Sequence, residues 1–292
     1  MSIPLIDLHT HSTASDGTDS PRELVRRAVA ARLCALALTD HDTLDGLDEA
    51  EEEAKNLGLV FVRGCEISTT TPWGEAHFLG LWIPRNREKT AFLLEGLFEV
   101  QALRRERNIR IAEKLQGLGL HVSYEDAEAL AGGRVVGRPH FAELLCRMGV
   151  VKDRKEAFRR YLGREGLAYV PRTLMSPERA VSLLKGTGAL VSMAHPRLLH
   201  APVEELEHLV VRLKDLGLDA LEAYHSEHDA KDVRLCVELA SRHHLQLSGG
   251  SDYHGLAKPN ITVGRGKGGL RVSMGVYNAL MEYRSRVGLR ED

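Results

Sequence analysis

The sequence has little that would place the protein in a membrane or outside the cell. Its 292 residues contain no apolar run of the roughly 18 residues that a membrane-spanning helix needs. The first residues show no basic segment followed by a long apolar stretch, so no signal peptide is expected. The four cysteines are widely separated, at positions 34, 65, 146 and 236. A chain of this size can bury its own core, so we expect no disulfide framework and a reducing, cytoplasmic location.

The sequence also lacks a surplus of positive charge. Its 39 Lys and Arg residues face 41 Asp and Glu residues, which gives a formal net charge of −2. A protein that holds duplex DNA through a broad basic face needs a large positive surplus, so that class is excluded. A small nucleotide-like ligand stays compatible with this charge. The content of 43% hydrophobic and 27% charged residues is typical of a globular protein.

Histidine, in contrast, is abundant. The 14 histidines outnumber the 6 Phe and 7 Tyr residues combined. Because histidine is the commonest metal ligand and titrates near neutral pH, its position relative to the predicted strands becomes the main question.

Short apolar runs alternate with segments of helical periodicity. Helices are predicted at 21–32, 47–57, 176–185 and 230–243, and a further helix has Val203, Leu206, Leu209, Val210 and Leu213 on one face. Strands are predicted at 3–8, 35–38, 59–62, 78–83, 189–193, 220–223 and 245–248. Repeated strand–helix units imply parallel strands with crossover helices, hence an α/β barrel-like domain. Residues 88–165 are charged, Arg-rich and helical without a convincing strand. The predicted organisation is therefore a barrel of residues 1–87 and 168–292 with a helical insertion, a substrate cap, at 88–167.

Polar residues follow most of the predicted strands. Chemistry in such barrels lies at the carboxyl ends of the strands. His9 and His11 end the first run two residues apart, so an extended chain turns both rings to the same side. The other polar positions are at Thr39-Asp40-His41-Asp42, Gly64-Cys65-Glu66, Glu75-Ala76-His77, Ala194-His195-Pro196 and Gly249 to His254. One such end is commonplace, but this number of them indicates a site that binds divalent metals through nitrogen and carboxylate ligands.

These residues resemble the motifs of a known family. The motifs are Asp7-Leu8-His9-Thr10-His11-Ser12, Ser15-Asp16-Gly17 and Leu38-Thr39-Asp40-His41-Asp42, then a lone Glu, a lone His, a His-Pro pair and Ser251-Asp252-Tyr253-His254. Together they are similar to the PHP (polymerase and histidinol phosphatase) family, which is related to the amidohydrolases. They span residues 7–254, and the resemblance implies a distorted (β/α)7 barrel with a helical insertion.

The resemblance also implies a set of metal ligands, and every position of that set is filled here. The ligands would be His9, His11, Asp16, His41, Glu66, His77, His195, Asp252 and His254. The family pattern implies three adjacent divalent ions. The first would take His9, His11, Glu66 and Asp252, the second would share Glu66 and take His77 and His195, and the third would take Asp16, His41 and His254. We expect manganese; iron and zinc accept the same ligands, whereas magnesium suits imidazole less well.

The length, the insertion and the segment Gly137–Phe141 resemble one bacterial subgroup more closely. Its members remove the 3′-phosphate from nucleoside 3′,5′-bisphosphates, and related members degrade short RNA from the 5′ end. The expected reaction is an in-line attack on phosphorus by hydroxide held between the ions. Asp252 would orient or deprotonate the water, and His195 or His254 could assist the leaving group, although a ligand imidazole is a poor acid. Asp40 would hold a ligand imidazole, with a plain turn residue as the alternative.

A substrate with a second phosphate needs cations away from the metals, and arginine forks suit phosphate best. The candidates are Arg134, Arg138 and His140 in the insertion and Arg172, Arg197 and Lys267 in the barrel. A solvated surface role is the alternative for any of these side chains. The glycine-rich run at 264–269 is expected to be a flexible turn, with a phosphate-binding loop as the alternative.

Two other functions stay open at this point. One is a histidinol phosphatase or another small-molecule phosphatase that uses the same site. The other is a non-enzymatic PHP module with a degenerate metal site. The complete set of ligand positions argues against this alternative. The expected partner is a small phosphorylated nucleotide, with short RNA as a second substrate; neither duplex DNA nor a membrane is expected.

Overall fold

The computed structural model describes residues 4–132, 136–171 and 174–289. Contacts between residues divide the chain into two compact units. The first consists of Met1–Leu97 and Met175–Asp292, and the second of Phe98–Leu174. Within the described residues, no helix is long and apolar enough to cross a bilayer.

The first unit is built on one sheet of seven strands in sequential order. The strands are β1 (Leu5–Asp7), β2 (Leu33–Leu38), β3 (Val60–Thr71), β4 (Gly74–Leu81), β5 (Leu190–Ala194), β6 (Ala220–His225) and β7 (Gln246–Gly250). The amide of Leu8 donates to the carbonyl of Gly249 at 3.2 Å, and Thr10 bridges Tyr253 in parallel. These contacts nearly close the sheet into a barrel, so the predicted fold class is confirmed.

The expectation of parallel strands throughout is wrong at β4. This strand is antiparallel to both β3 and β5. The reason is the two-residue connection between Thr71 and Gly74, which can join only antiparallel neighbours. The polar and β-branched run Ser68-Thr69-Thr70-Thr71 hid the long hairpin, since it lacks the apolar residues by which the strands were recognised.

Helices cover the outside of the barrel, and all of them except the last, which was not predicted, lie close to the predicted segments. They are α1 (Pro21–Ala30), α2 (Leu47–Leu57), α7 (Pro177–Gly186), α8 (Val203–Asp215), α9 (Ala230–Arg242) and α10 (Met274–Arg286). Ser20 caps α1 and forms a capping box with Glu23, which satisfies amides at the helix start. Gly58 ends α2 with a φ of 69°, a conformation that glycine adopts without strain.

The second unit is helical in its described part. Helix α3 (Arg87–Gly117) leads into it and is followed by α4 (Tyr124–Ala131), α5 (Arg138–Arg147), α6 (Arg154–Ala157) and a π-helical turn at Phe158–Leu162. Phe141, Leu145 and Leu115 are fully buried in its own apolar core. That residues 88–167 act as a substrate cap stays a prediction.

Candidate metal centre

The nine predicted ligand side chains lie together at one end of the barrel. Most follow the carboxyl ends of parallel strands: His9 and His11 after β1, His41 after β2, and Asp252 and His254 after β7. Glu66 and His77 instead lie within the hairpin of β3 and β4, and His77 pairs with Ala194, directly before His195. The antiparallel strand therefore delivers a ligand to the same edge as its parallel neighbours.

Glu66 is the centre of this cluster and is completely buried. Its Oε1 lies 3.0 Å from His77 Nδ1 and 3.2 Å from His195 Nε2. Its Oε2 lies 3.3 Å from His9 Nε2, 3.2 Å from His11 Nε2 and 3.0 Å from His41 Nδ1. The two oxygens thus face two different groups of imidazoles, as expected of a carboxylate that bridges two ions.

A further group surrounds Asp16, whose carboxylate lies 3.1 Å from His254 Nε2 and 3.9 Å from His11 Nδ1. The rings of His11 and His254 stack at 4.1 Å between centroids. His41 also belongs to this group, since its ligand atom lies within 4.8 Å of those of Asp16, His11 and His254. Asp16, which in isolation indicates only a turn, is therefore drawn into the cluster by the fold.

The donor set fits divalent metal ions. Several buried ring nitrogens and one carboxylate oxygen make no hydrogen bond of good geometry to the described residues: His9 Nε2, His11 Nδ1 and Nε2, His41 Nδ1, His77 Nε2 and Glu66 Oε2. Buried polar atoms are normally hydrogen-bonded, so a convergence of buried polar atoms without such bonds needs another partner. Imidazole with carboxylate is the ligand combination of zinc, manganese and iron.

The electrostatics of the centre also favour a cation. Burial would raise the pKa of Glu66, but the neighbouring His41, His9 and His77 hold it well below its usual range. Burial lowers the pKa of His41 to about 3 and that of His195 to about 4, so these rings stay neutral and keep a lone pair. Burial opposes the charged form of His11 as well, yet Asp252 and Glu66 raise its pKa to about 9. The carboxylates thus attract positive charge, which bound ions would supply.

Asp252 divides its two oxygens between different partners. Oδ1 lies 3.4 Å from His11 Nε2 and 3.3 Å from His254 Nδ1, on the side of the ligand rings. Oδ2 accepts a hydrogen bond from Lys258 Nζ at 2.6 Å and lies 3.3 Å from His225 Nε2. Burial would raise the pKa of Asp252, but Lys258 and His254 hold it well below its usual range. The carboxylate is therefore kept ionised and oriented.

Asp40 lies against the loop that follows His11, and its predicted contact with a ligand imidazole stays a prediction. It is buried, and its carboxylate accepts hydrogen bonds from the Ser12 amide at 2.9 Å, the Ser12 hydroxyl at 2.6 Å and the Ser15 hydroxyl at 2.5 Å. Within the described chain, its hydrogen bonds go to this loop and not to a ligand imidazole. Since the loop joins His11 to Asp16, Asp40 fixes the path between two predicted ligands.

Sequence reasoning missed two residues that contact the predicted ligands. Glu222 is buried on β6 against His9, and Lys258 pairs with Asp252. His225 is also buried beside Asp252. The signal for Glu222 was a carboxylate inside the apolar run Ala220–Ala223. No comparable signal marked Lys258, because its partner is defined only by the folded loop.

The predicted phosphate-binding residues are engaged in local structure. The Arg138 guanidinium lies over the Phe158 ring at 5.8 Å, and His140 Nδ1 accepts a hydrogen bond from the Gly137 amide. Arg197 Nε donates to Asp232 at 3.0 Å, and Lys267 Nζ lies 2.7 Å from Glu227. Arg134 and Arg172 lie outside the described residues. Substrate contact by these six residues stays a prediction.

Gly250, at the end of β7, allows the backbone at His9 to pass close to β7. A Cβ at this position would fall against the backbone nitrogen and the Cβ of His9, much closer than normal contact. Gly250→Ala is expected to lower the free energy of unfolding by about 1–3 kcal/mol, the usual cost of overpacking. Gly269→Ala is the control, because a Cβ there meets open space. Urea unfolding checks the prediction, and equal stability of the two variants would contradict it.

Comparisons with known proteins indicate one family. Residues 7–161 match the PHP domain model. The chain is 37% identical to a 5′-3′ exoribonuclease of Haemophilus influenzae, over 85% of this chain and 89% of that protein. It is 33% identical to a 3′,5′-nucleoside bisphosphate phosphatase of Chromobacterium violaceum, over 89% of this chain and 90% of that protein.

Solved structures give the same result. A proposed metal-dependent phosphoesterase of Bifidobacterium adolescentis superimposes with a TM-score of 0.84 at 28% identity, covering 96% of this chain and 97% of the other. An amidohydrolase of Chromobacterium violaceum with bound sulfate gives a TM-score of 0.79 at 33% identity, covering 89% of each chain. The sequence matches and the structural matches thus agree, and the chain belongs to the PHP domain family of metal-dependent phosphoesterases.

Proposed function

We propose that this protein is a metal-dependent phosphatase that removes the 3′-phosphate from nucleoside 3′,5′-bisphosphates. The observation that carries the proposal is Glu66, whose two oxygens face two groups of imidazoles at the centre of the nine predicted ligand residues. The relative named a 3′,5′-nucleoside bisphosphate phosphatase, aligned over 89% of this chain, supports the substrate class.

We further propose that the nine ligand residues hold three divalent ions, with manganese as the metal. When bound, such ions neutralise charge on phosphoryl oxygens and lower the pKa of water. The chain holds them through Glu66, which serves the groups around His9 and His77, and through Asp16, which serves the group with His41 and His254.

Asp252 is proposed as the catalytic carboxylate, and its role is to orient the nucleophilic water. Because Lys258 and His225 occupy its Oδ2, only Oδ1 faces the ligand rings. A carboxylate held ionised by an ammonium group is a weak base, so Asp252 orients the nucleophilic water rather than taking its proton. Assistance to the leaving group by His195 or His254 stays a prediction.

Phosphate release by the manganese-loaded protein tests the substrate. Adenosine 3′,5′-bisphosphate is expected to react about 10–100-fold faster, in kcat/KM, than 3′-AMP, since a second phosphate adds charge-assisted hydrogen bonds. Removal of metal by a chelator is expected to abolish release, and added Mn²⁺ to restore it. Equal rates on both nucleotides, or faster release from histidinol phosphate, would contradict the proposed substrate.

A second activity, 5′-3′ degradation of short RNA, is favoured by the exoribonuclease relatives of Haemophilus influenzae and Escherichia coli, which are 37% and 35% identical to this chain. A 5′-phosphorylated RNA oligonucleotide should then yield mononucleotides from its 5′ end under the same conditions. An intact oligonucleotide, with active release from the bisphosphate, would restrict the enzyme to small nucleotides.

A further inference from the structure

Glu222 is a buried carboxylate that joins two parts of the metal centre. It lies in the middle of β6 between Leu221 and Ala223, and its side chain is completely buried. Its Oε1 and Oε2 lie 3.0 and 3.2 Å from His9 Nδ1. Its Oε2 also accepts a hydrogen bond from the His195 amide at 2.7 Å. One side chain thus contacts ligand residues that follow two different strands, β1 and β5.

The contact with His9 determines which ring nitrogen faces the metal centre. An ionised carboxylate only accepts hydrogen bonds, so the proton of a neutral His9 ring resides on Nδ1. Its Nε2 is then left as a lone pair directed towards Glu66 Oε2, 3.3 Å away. A second carboxylate behind a metal-binding histidine fixes the ring and raises its basicity in many metal sites.

The contact with His195 holds an unfavourable backbone. His195 has φ 28° and ψ 57°, and only a few per cent of residues other than glycine have a positive φ, although His is found there more often than most. Such a conformation persists only where the surroundings over-determine it. The short hydrogen bond from the His195 amide to Glu222 supplies one of these constraints and directs the His195 ring towards Glu66 Oε1.

We propose that Glu222 is a positioning residue that couples the two ion-binding groups on either side of Glu66, by fixing the His9 ring and the His195 backbone together. The proposal rests on the proposed function, in which His9 and His195 hold different ions. A buried carboxylate is costly unless it is fully paired, whereas an apolar side chain at this position of the sheet would carry no such cost. The contacts of Glu222 with His9 and His195 therefore indicate a role for its carboxylate in the metal centre.

The test measures metal binding rather than turnover. Glu222→Gln keeps the shape of the side chain and removes its charge. Asp219→Asn is the control, since Asp219 directly precedes β6, is buried, and accepts a hydrogen bond from the Val191 amide of β5 at 2.9 Å. Its other side-chain partners are Lys185 and Tyr283 and include no imidazole of the described residues. Each metal-free full-length protein is titrated with Mn²⁺ by calorimetry, after thermal melting has shown that it is folded.

Glu222→Gln is expected to weaken Mn²⁺ binding about 10–100-fold, at more than one of the bound ions, whereas Asp219→Asn changes it less than about twofold. Glu222→Asp, which shortens the side chain but keeps its charge, should recover part of the lost affinity. Native affinity in Glu222→Gln, or an equal loss in Asp219→Asn, would overturn the proposal. The proposed substrate is judged separately, since a native protein that binds Mn²⁺ but releases no phosphate from bisphosphates would contradict that function alone.

Discussion

Glu66→Gln is expected to lower kcat/KM for phosphate release by at least about 1,000-fold, equivalent to roughly 4 kcal/mol of transition-state stabilisation. The substitution preserves the size of the side chain but removes its negative charge. It also turns an amide NH₂ group towards at least two ring nitrogens, because both carboxylate oxygens have imidazole nitrogens within 3.3 Å. Both neighbouring ion-binding groups therefore lose a shared ligand at once.

Steady-state phosphate release from adenosine 3′,5′-bisphosphate with saturating Mn²⁺ measures this loss, together with the bound metal per chain by elemental analysis. Glu53→Gln provides a control on helix α2. Glu53 is also a buried carboxylate, but it is paired with Arg26 at 2.6 Å and lies outside the ligand set. More than a tenth of native activity in Glu66→Gln, with native metal content, would refute the bridging role.

Asp252→Asn is expected to retain the fold and to lose most turnover, by about 100–1,000-fold in kcat. The backbone at Asp252 has φ 56°, which Asn adopts more readily than most residues, so the chain path should be unchanged. The amide, however, lacks the charge that Oδ1 presents to His11 and His254 and that Oδ2 presents to Lys258. Orientation of the nucleophile is therefore lost while packing is kept.

Turnover of Asp252→Asn is compared with its thermal melting temperature and its manganese content. Loss of kcat with near-native melting supports a catalytic role for the carboxylate. Near-normal turnover would contradict that role. A large drop in the melting temperature together with the loss of activity would instead assign Asp252 a structural role.

The ligand types and their approximate place were readable in the sequence. His9, His11 and His41 follow apolar runs, and a barrel places the residues after its parallel strands at one edge. Helix α2 begins and ends at the predicted residues, because its apolar period and the following glycine are both local signals. Such features depend on neighbours in sequence and need no knowledge of the fold.

The errors and omissions have a common physical origin. The antiparallel orientation of β4 was missed since its pairing depends on a polar hairpin. The contacts of Asp40 with Ser12 and Ser15 were not predicted, because the folded loop selects these partners. No sequence motif marks Glu222 or Lys258, because the role of each depends on the side chains that it contacts in the folded protein. Glu222 and His9 are separated by 213 residues in sequence.

The sequence by itself determined that this protein has a barrel of alternating strands and helices, a helical segment within it, and a set of histidines and carboxylates suited to divalent metals. Only the tertiary structure decided how these ligands are shared. Glu66 and His195, 129 residues apart, meet because β4 turns back between β3 and β5. Local sequence encodes strands and ligand types, whereas the division of one carboxylate between two groups of imidazoles requires distances that exist only after the sheet has closed.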